Sequence, residues 1–348
     1  MVKDSRMPRL YGVTLVHRYM EYTTLGDTGL EVSRICLGCM SFGSSQRRSW
    51  VLDEDEARPI IERAIDLGIN FFDTANIYSH GDSERVLGNV LAEYDRDRFV
   101  VATKVMGQMD DENPNSGGLS RKAIEQEFQQ SLDRLSMDAV DLYQIHRWDY
   151  KTPIEETLRT LDDLVRRGQT RYIGACSMWG HQFAEAIHTS ERLDLEAFIS
   201  MQNQYNLVYR EEEREVIPYC RENGIGLVPW SAMARGFLTR PHEAFYDTQR
   251  GQHIGDDDRI HERIEVYRKH GGEEINERVE ELAADKDVKM AQIALAWLFE
   301  KGVDAPLVGT TSIEHLEDAV EALDISLSSG DIDYLEAPYE PVEVVGHR

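Results

Sequence analysis

The stretch NFFDTANIYSHGDSERVLG, from Asn70 to Gly88, joins an apolar run to a carboxylate and then, five residues on, to a phenol. Asn70–Phe72 has the aromatic and apolar character of a buried strand, Asp73 stands where that strand ends, and Ser83–Leu91 reads as a helix opening. This is a strand emptying into a reactive loop. Asp73 and Tyr78 then share one rim. Taken singly, Asp73 also suits the cap of a turn and Tyr78 is one of fifteen tyrosines, so their meaning depends on what other strand ends bring to that rim.

Outward from this unit, strand and helix alternate with a period of roughly 30 to 45 residues, the signature of stacked βα units. Strands are expected at Ile35–Leu37, Asn70–Asp73, Phe99–Thr103, Val140–Ile145, Tyr172–Cys176, Ser200–Gln202, Ile225–Trp230 and Ala305–Val308. Helical patterns lie at Asp53–Leu67, Ser120–Leu135, Pro153–Arg167, His181–Thr189, Arg210–Asn223 and Met290–Lys301, several closed by glycine. Eight such units predict an α/β fold, a (β/α)8 TIM barrel. Glu21–Val32 alternates and turns at Gly26 and Gly29, which predicts an N-terminal β-hairpin. Residues 1–20 show no period and read as an extension, so the barrel is expected to span 21–348 as one domain. Ser231–Gly272, polar and too long for an ordinary connection, is expected to be a lid following the seventh strand, and Ile325–Arg348 a loop crossing one end.

Composition narrows the function. The 64 acidic and 38 basic residues give a net charge of −26, which opposes nucleic acid and anionic membrane surfaces as partners. No apolar stretch approaches the roughly 20 residues of a membrane span, and Met1–Met20 lacks a secretory h-region, so a cytoplasmic location is expected. Only eight of the cations are lysines, a balance suited to solubility in concentrated salt. Self-repulsion at −26 is screened by salt and unmasked by dilution. The melting temperature is therefore expected to rise from low to molar salt, and a flat response would remove salt adaptation as a reading. Cys36, Cys39, Cys176 and Cys220 are too few for a disulfide scaffold. Cys36 and Cys39 have CxxC spacing, but with no second CxxC and no HExxH, packing at a strand end is favoured over a metal or redox pair.

Two later strand ends decide the chemistry. Phe99-Val-Val-Ala-Thr-Lys104 ends on a lysine, and Val140-Asp-Leu-Tyr-Gln-Ile-His146 on a histidine. In a barrel these ends face the same way as Asp73 and Tyr78. A lysine after an apolar strand needs a carboxylate partner, for which Asp73 is placed. A buried ion pair beside a packed histidine would account for each residue alone. Acid, phenol, ammonium and imidazole on consecutive strand ends are hard to assign to packing together.

Residues 21–343 resemble the aldo-keto reductase superfamily, in the branch of aldehyde and ketone reductases that also resembles potassium-channel β subunits. The resemblance runs through LGDTGLEVSRICLGCMSFG, FDTANIY, the Thr103-Lys104 strand end, DLYQIHRWD, RYIGACSM, QNQYNLVYR, VPWSAMARGFL and VGTTSIEHLEDAVEAL, in family order. It implies a catalytic tetrad of Asp73, Tyr78, Lys104 and His146. Tyr78 would protonate the carbonyl oxygen as hydride arrives, Lys104 held by Asp73 would lower the phenol pKa, and His146 would orient the carbonyl. No metal is required.

The same resemblance implies a nicotinamide cofactor. Ser177 and Gln202 would hold its carboxamide, Trp230 would cover the ring with Met40 at its edge, and Ser231, Met233 and Arg235 would hold the pyrophosphate. Gly309 and Thr311 would receive phosphate at a helix N-terminus, with His315 and Asp318 toward the adenine. Where NADP-preferring members often place a cation, this chain has Ser312; Arg240 and Arg250 are the expected replacements, which favours NADP(H) over NAD(H). The chain has Ala232-Met233 where Pro-Leu is usual, so a less rigid turn is expected there. The expected partner is a small-molecule carbonyl or alcohol, with Trp50, Trp148, Trp179 and Phe42 at an apolar mouth. Two other classes stay open: a nucleotide-binding regulatory subunit with little turnover, and a barrel isomerase or lyase using the same rim. The absence of a Gly-x-Gly-x-x-Gly or P-loop motif argues against a Rossmann or Walker site.

Overall fold

Short runs of alternating side chains build a closed parallel sheet. The computed structural model describes residues 20–46, 48–247 and 258–347. Arg250 and all of the expected N-terminal extension except Met20 lie outside these residues; Met20 itself is buried in the core.

A two-stranded antiparallel hairpin, β1 (Tyr22–Thr24) and β2 (Glu31–Ser33), precedes the barrel. The barrel strands are β3 (Cys36–Gly38), β4 (Phe71–Asp73), β5 (Val100–Val105), β6 (Val140–Ile145), β7 (Thr170–Cys176), β8 (Phe198–Gln202), β9 (Gly226–Leu227) and β10 (Leu307–Val308). They pair in parallel in the order β10-β3-β4-β5-β6-β7-β8-β9. Backbone bonds from Asp304 N to Leu227 O (3.1 Å) and Leu307 N to Pro229 O (2.9 Å) join the two ends. All eight expected barrel strands are present, with boundaries shifted by a few residues.

The period-two pattern separates two cores. Cys36, Phe71, Val100, Ala102, Leu142, Val228 and Ala305 fill the inside, where Leu25 and Val32 of the hairpin plug one end. Leu37, Phe72, Val101, Tyr143, Ile173 and Met201 point outward and pack with Ile61, Leu87, Phe128, Leu161, Phe183 and Leu298 of the surrounding helices. Phe71 and Phe72 have no exposed surface, and each contributes on the order of 2 to 3 kcal/mol by burial.

Three expectations need correction. The connection after β9 is partly helical: Asp258–Tyr267 forms a helix, and Glu273–Lys286 forms another that the sequence reading leaves unassigned. Tyr267 is buried and bonded by Gln204 Nε2. Asn276 donates to Phe237 O (2.6 Å) and Arg240 O (2.9 Å) and accepts from His242 N (2.9 Å), so the first part of the connection is clamped to the second helix. Arg210–Asn223 is not one helix. It breaks at Glu215 (φ −140°, ψ −54°) between a 3-10 turn, Glu211–Arg214, and Val216–Glu222.

The C-terminal stretch contains a helix, Ser329–Glu336, opened by a Ser328–Asp331 capping box. Beyond it the chain crosses one end of the barrel as expected. Glu211 Oε1 accepts from Tyr339 OH (2.7 Å) and Val342 N (3.0 Å), and His347 Nε2 meets Glu212 Oε1 at 2.9 Å. That end carries Trp230: a Cβ placed on Gly346 would lie 3.4 Å from its Cζ2.

Candidate active site

Register alone brings the polar strand ends together. Asp73 lies opposite Ala102, Lys104 opposite Gln144, Gln144 opposite Gly174, and Cys176 opposite Gln202. Inward-facing polar side chains therefore follow the apolar filling of the barrel toward its C-terminal end. Gly174 is needed here, since a Cβ would lie 2.5 Å from Ser200 Oγ and 3.2 Å from Gln144 Cγ.

Asp73 and Lys104 form a buried ion pair. Such a pair is tolerated only when its remaining hydrogen-bonding capacity is used. Lys104 Nζ also donates to Thr74 O at 2.8 Å and to Tyr78 OH at 3.2 Å. The other carboxylate oxygen of Asp73 accepts from Gln144 Nε2 (2.9 Å) and Gln202 Nε2 (2.8 Å). Gln144 is a member of this network that sequence reading missed. Its position in DLYQIH, inward by alternation with Leu142, was the available signal.

Tyr78 opens a tight turn through Gly81 in which Ser79, His80 and Gly81 have φ of 45°, 58° and 93°. Left-handed non-glycine residues cost about 1 to 3 kcal/mol each and persist only where surroundings impose them. Here Arg134 packs against Gly81, so closely that a Cβ there would lie 2.5 Å from Arg134 Cδ. Arg134 donates to Glu84 Oε2 (2.6 Å), whose other oxygen accepts from Thr103 Oγ1 (2.5 Å) on β5. The strand bearing Lys104 thus also braces the turn bearing Tyr78. The Tyr78 and His146 rings meet edge to face, centroids 5.6 Å apart.

At Tyr78 burial outweighs the neighbouring ammonium. Burial pushes the Tyr78 phenol above its ordinary value; Lys104 pulls it down as expected, but Asp73 opposes that pull. The net direction is upward, so the phenol stays protonated through neutral pH. Burial draws the Lys104 ammonium down, but Asp73, Tyr78 and Cys176 together hold it above its usual value. His146 is driven well below the ordinary imidazole value by burial, then by Lys104 and Arg147.

A pH prediction follows from His146. Between its folded pKa and the unfolded value of about 6.5 the unfolded chain binds the extra proton, so stability falls as pH drops through this window. A His146→Gln variant is expected to have a flatter melting-temperature profile below about pH 6.5; an identical slope would assign the loss elsewhere.

The expected cofactor residues other than Arg240 and Arg250 fall at or after the C-terminal ends of β3, β7, β8, β9 and β10. Ser177, with its amide bonded to Gln202 O (3.1 Å), accepts from Trp230 Nε1 at 3.0 Å. Gln202 uses its amide nitrogen on Asp73, leaving its oxygen as an acceptor. Met40 follows β3 in the turn Cys39–Ser41. Ser231 (φ 56°) and Arg235 (φ 59°) lie in left-handed turns flanking Met233, and Ala232 is buried. Arg240 is held at its carbonyl by Asn276, a residue the sequence reading passed over. Gly309 and Thr311 are exposed before the helix Ile313–Glu321, with His315 exposed in its first turn. Ser312 caps that helix by accepting from His315 N at 3.2 Å. Asp318 is ion-paired with Lys289 at 2.8 Å, an engagement not foreseen.

Trp50, Trp148 and Trp179 are partly buried, but Phe42 has no exposed surface and belongs to the core rather than the mouth. All four cysteines are free and buried; Cys176 is pushed up to about 12 by burial first, and Cys36 and Cys39 are also raised. They are poor nucleophiles in this setting.

Comparison with known proteins gives the family. Residues 34–340 match the model of the aldo/keto reductase family. The chain is 41% identical to versiconal hemiacetal acetate reductase of Aspergillus parasiticus, over 92% of this chain and 98% of that protein. It is 40% identical to an aldo-keto reductase of Metarhizium robertsii, over 99% and 98%. A third relative, an aldo-keto reductase of Alternaria alternata, is 38% identical over 94% and 93%. With the closed parallel barrel, its hairpin plug and this near full-length similarity, the chain belongs to the aldo/keto reductase family.

Proposed function

We propose that the chain reduces aldehydes or ketones to alcohols with NADP(H), using Tyr78 as the proton donor. The observation supporting this most is the network in which Lys104 Nζ, paired with Asp73, reaches Tyr78 OH at 3.2 Å beside His146. The donor set suits a nicotinamide cofactor: carboxamide partners Ser177 and Gln202 on adjacent strand ends, an aromatic face at Trp230, then arginines for phosphate. When bound, that group supplies hydride to the carbonyl carbon.

The residues of the chain do the rest. A neutral His146 can hold the carbonyl by a hydrogen bond without bringing a second charge beside Lys104. As negative charge develops on the carbonyl oxygen, Tyr78 gives up its proton. Lys104 stabilises the phenolate left behind, and Asp73, fixed by Gln144 and Gln202, keeps the ammonium in place. Tyr78 is the strongest candidate for the acid because its hydroxyl lies 3.2 Å from the Lys104 ammonium, which stabilises the phenolate, and its ring lies beside His146.

The preference for NADP rests on Arg240, whose backbone is clamped and whose guanidinium makes no ion pair among the described residues. A 2′-phosphate would supply the missing anion. Absorbance at the reduced-nicotinamide band, followed with a panel of aldehydes and either NADPH or NADH, tests the proposal. Turnover favouring NADPH is expected. Binding without turnover would indicate a regulatory subunit, and no binding would indicate a reaction without this cofactor.

A further inference from the structure

A chain with net charge −26 gathers three guanidinium groups around one indole. The Cζ atoms of Arg147, Arg235 and Arg263 lie 5.8, 5.9 and 5.7 Å from the Trp230 ring centroid. They arrive from three places: the residue after His146, the turn Ala234–Gly236 and the helix Asp258–Tyr267. Arg235 follows β9, on the side proposed for the pyrophosphate, and Arg263 donates to Gln204 Oε1 at 3.2 Å.

Arg147 is placed differently. It leaves the end of β6, two strands away from β8 in the order of the sheet and three from β9, with Ser177 and Gln202 between. It therefore stands on the side of Trp230 where the strand ends carrying Ser177 and Gln202, the groups proposed for the carboxamide, are found. It is half-buried and donates Nη1 to His146 O at 2.5 Å. Its charge is felt at both His146 and Cys176.

Other half-buried or buried arginines of this acidic chain do meet carboxylates, as Arg134 does with Glu84 and Arg210 with Glu336, each at 2.6 Å. Arg147 makes no ion pair among the described residues. Apart from His146 O and the face of Trp230, its guanidinium has no partner among the described residues, which leaves donors free for an anion.

We propose that Arg147 binds a carboxylate carried by the carbonyl substrate, so that acids bearing an aldehyde or ketone are the preferred substrate class. This rests on the reductase reading above. The guanidinium fork keeps donors beyond the one committed to His146 O, which suits one planar carboxylate. Its neighbour His146 would hold the carbonyl of the same molecule. The overall negative charge repels anions at long range, so selectivity for the acid must come from this local contact.

The test compares 4-carboxybenzaldehyde with methyl 4-formylbenzoate, the same ring with its charge removed, in the wild type, Arg147→Met and Arg147→Lys. The wild type is expected to favour the acid by about tenfold or more in kcat/KM, a ratio of the size one charge-assisted contact gives. In Arg147→Met that ratio should collapse toward one through a higher KM for the acid, and Arg147→Lys should recover part of it. Independently of turnover, benzoate titrated against tryptophan fluorescence, with and without NADP+, should bind the wild type more tightly than benzamide does and lose that advantage in Arg147→Met. Equal use of acid and ester by the wild type, or a ratio unchanged in Arg147→Met, overturns the proposal. Should neither aldehyde be turned over, the reductase reading fails; the benzoate titration still decides for or against Arg147.

Discussion

Tyr78→Phe is expected to lower kcat by about 10²- to 10⁴-fold, the range contributed by a positioned general acid, while NADPH affinity stays within about threefold of wild type. The variant deletes one oxygen. Its ring can still pack edge to face on His146 and lie under Lys104 Nζ, which is 4.7 Å from the ring centroid. The lost hydrogen bond to Lys104 should cost about 1 kcal/mol of stability, so the protein remains folded and the kinetic loss is interpretable. Stopped-flow single turnovers and a fluorescence titration with NADPH separate chemistry from binding. Retained turnover would mean that another group, or water, protonates the alkoxide.

Lys104→Met should be costlier to the fold. Removing the ammonium leaves Asp73 buried with only Gln144 and Gln202 as donors, and breaking such a pair from one side costs about 3 to 5 kcal/mol. The sign with pH follows from the direction of the shift. Lys104 is held above its ordinary value, so its contribution is fully present below the unfolded value of about 10.4 and is lost as pH rises from there through the higher folded value. At neutral pH the wild type therefore has all of it. The melting-temperature gap between wild type and Lys104→Met should stay constant from pH 7 to 9 and narrow only in strong alkali. Turnover should fall along with Tyr78 function. Adding Asp73→Asn to Lys104→Met should return part of the stability, because the unpaired carboxylate is gone, without returning activity. A double variant no more stable than Lys104→Met would contradict the ion-pair account.

The convergence of the polar strand ends was legible because its code is local. FFD, VVATK and VDLYQIH each alternate inward and outward, and in a closed parallel barrel the C-terminal ends of all strands face one way, so a polar residue ending an apolar strand has only one place to go. Gln144 was readable by the same rule. What escaped depended on contacts between distant segments. Asp258–Tyr267 is largely charged, and the kink at His270–Gly271 interrupts its run into Glu273–Lys286. The second helix does show Ile275, Val279, Leu282 and Ala283 at helical spacing, all buried, a signal that was available. Asn276, polar and alone on that face, disclosed its clamp on residues 237–242 only once the chain was folded.

The direction of the Tyr78 shift was hidden for a related reason. A sequence puts an ammonium near a phenol, but whether the phenol is desolvated, and how far Asp73 offsets Lys104, are properties of the packed mouth. Likewise, Arg147 is one cation among 38 in the chain; its lack of a carboxylate is visible only when every described acidic neighbour has been placed.

The most direct measurement traces the hydrogen itself. Wild-type protein turning over an aldehyde with NADPH deuterated at C4, in ordinary water, should give an alcohol with deuterium on the carbinol carbon and a solvent proton on oxygen, one alcohol for each NADPH oxidised. An alcohol without deuterium, or NADPH bound and never consumed by any aldehyde, would contradict hydride transfer at this mouth.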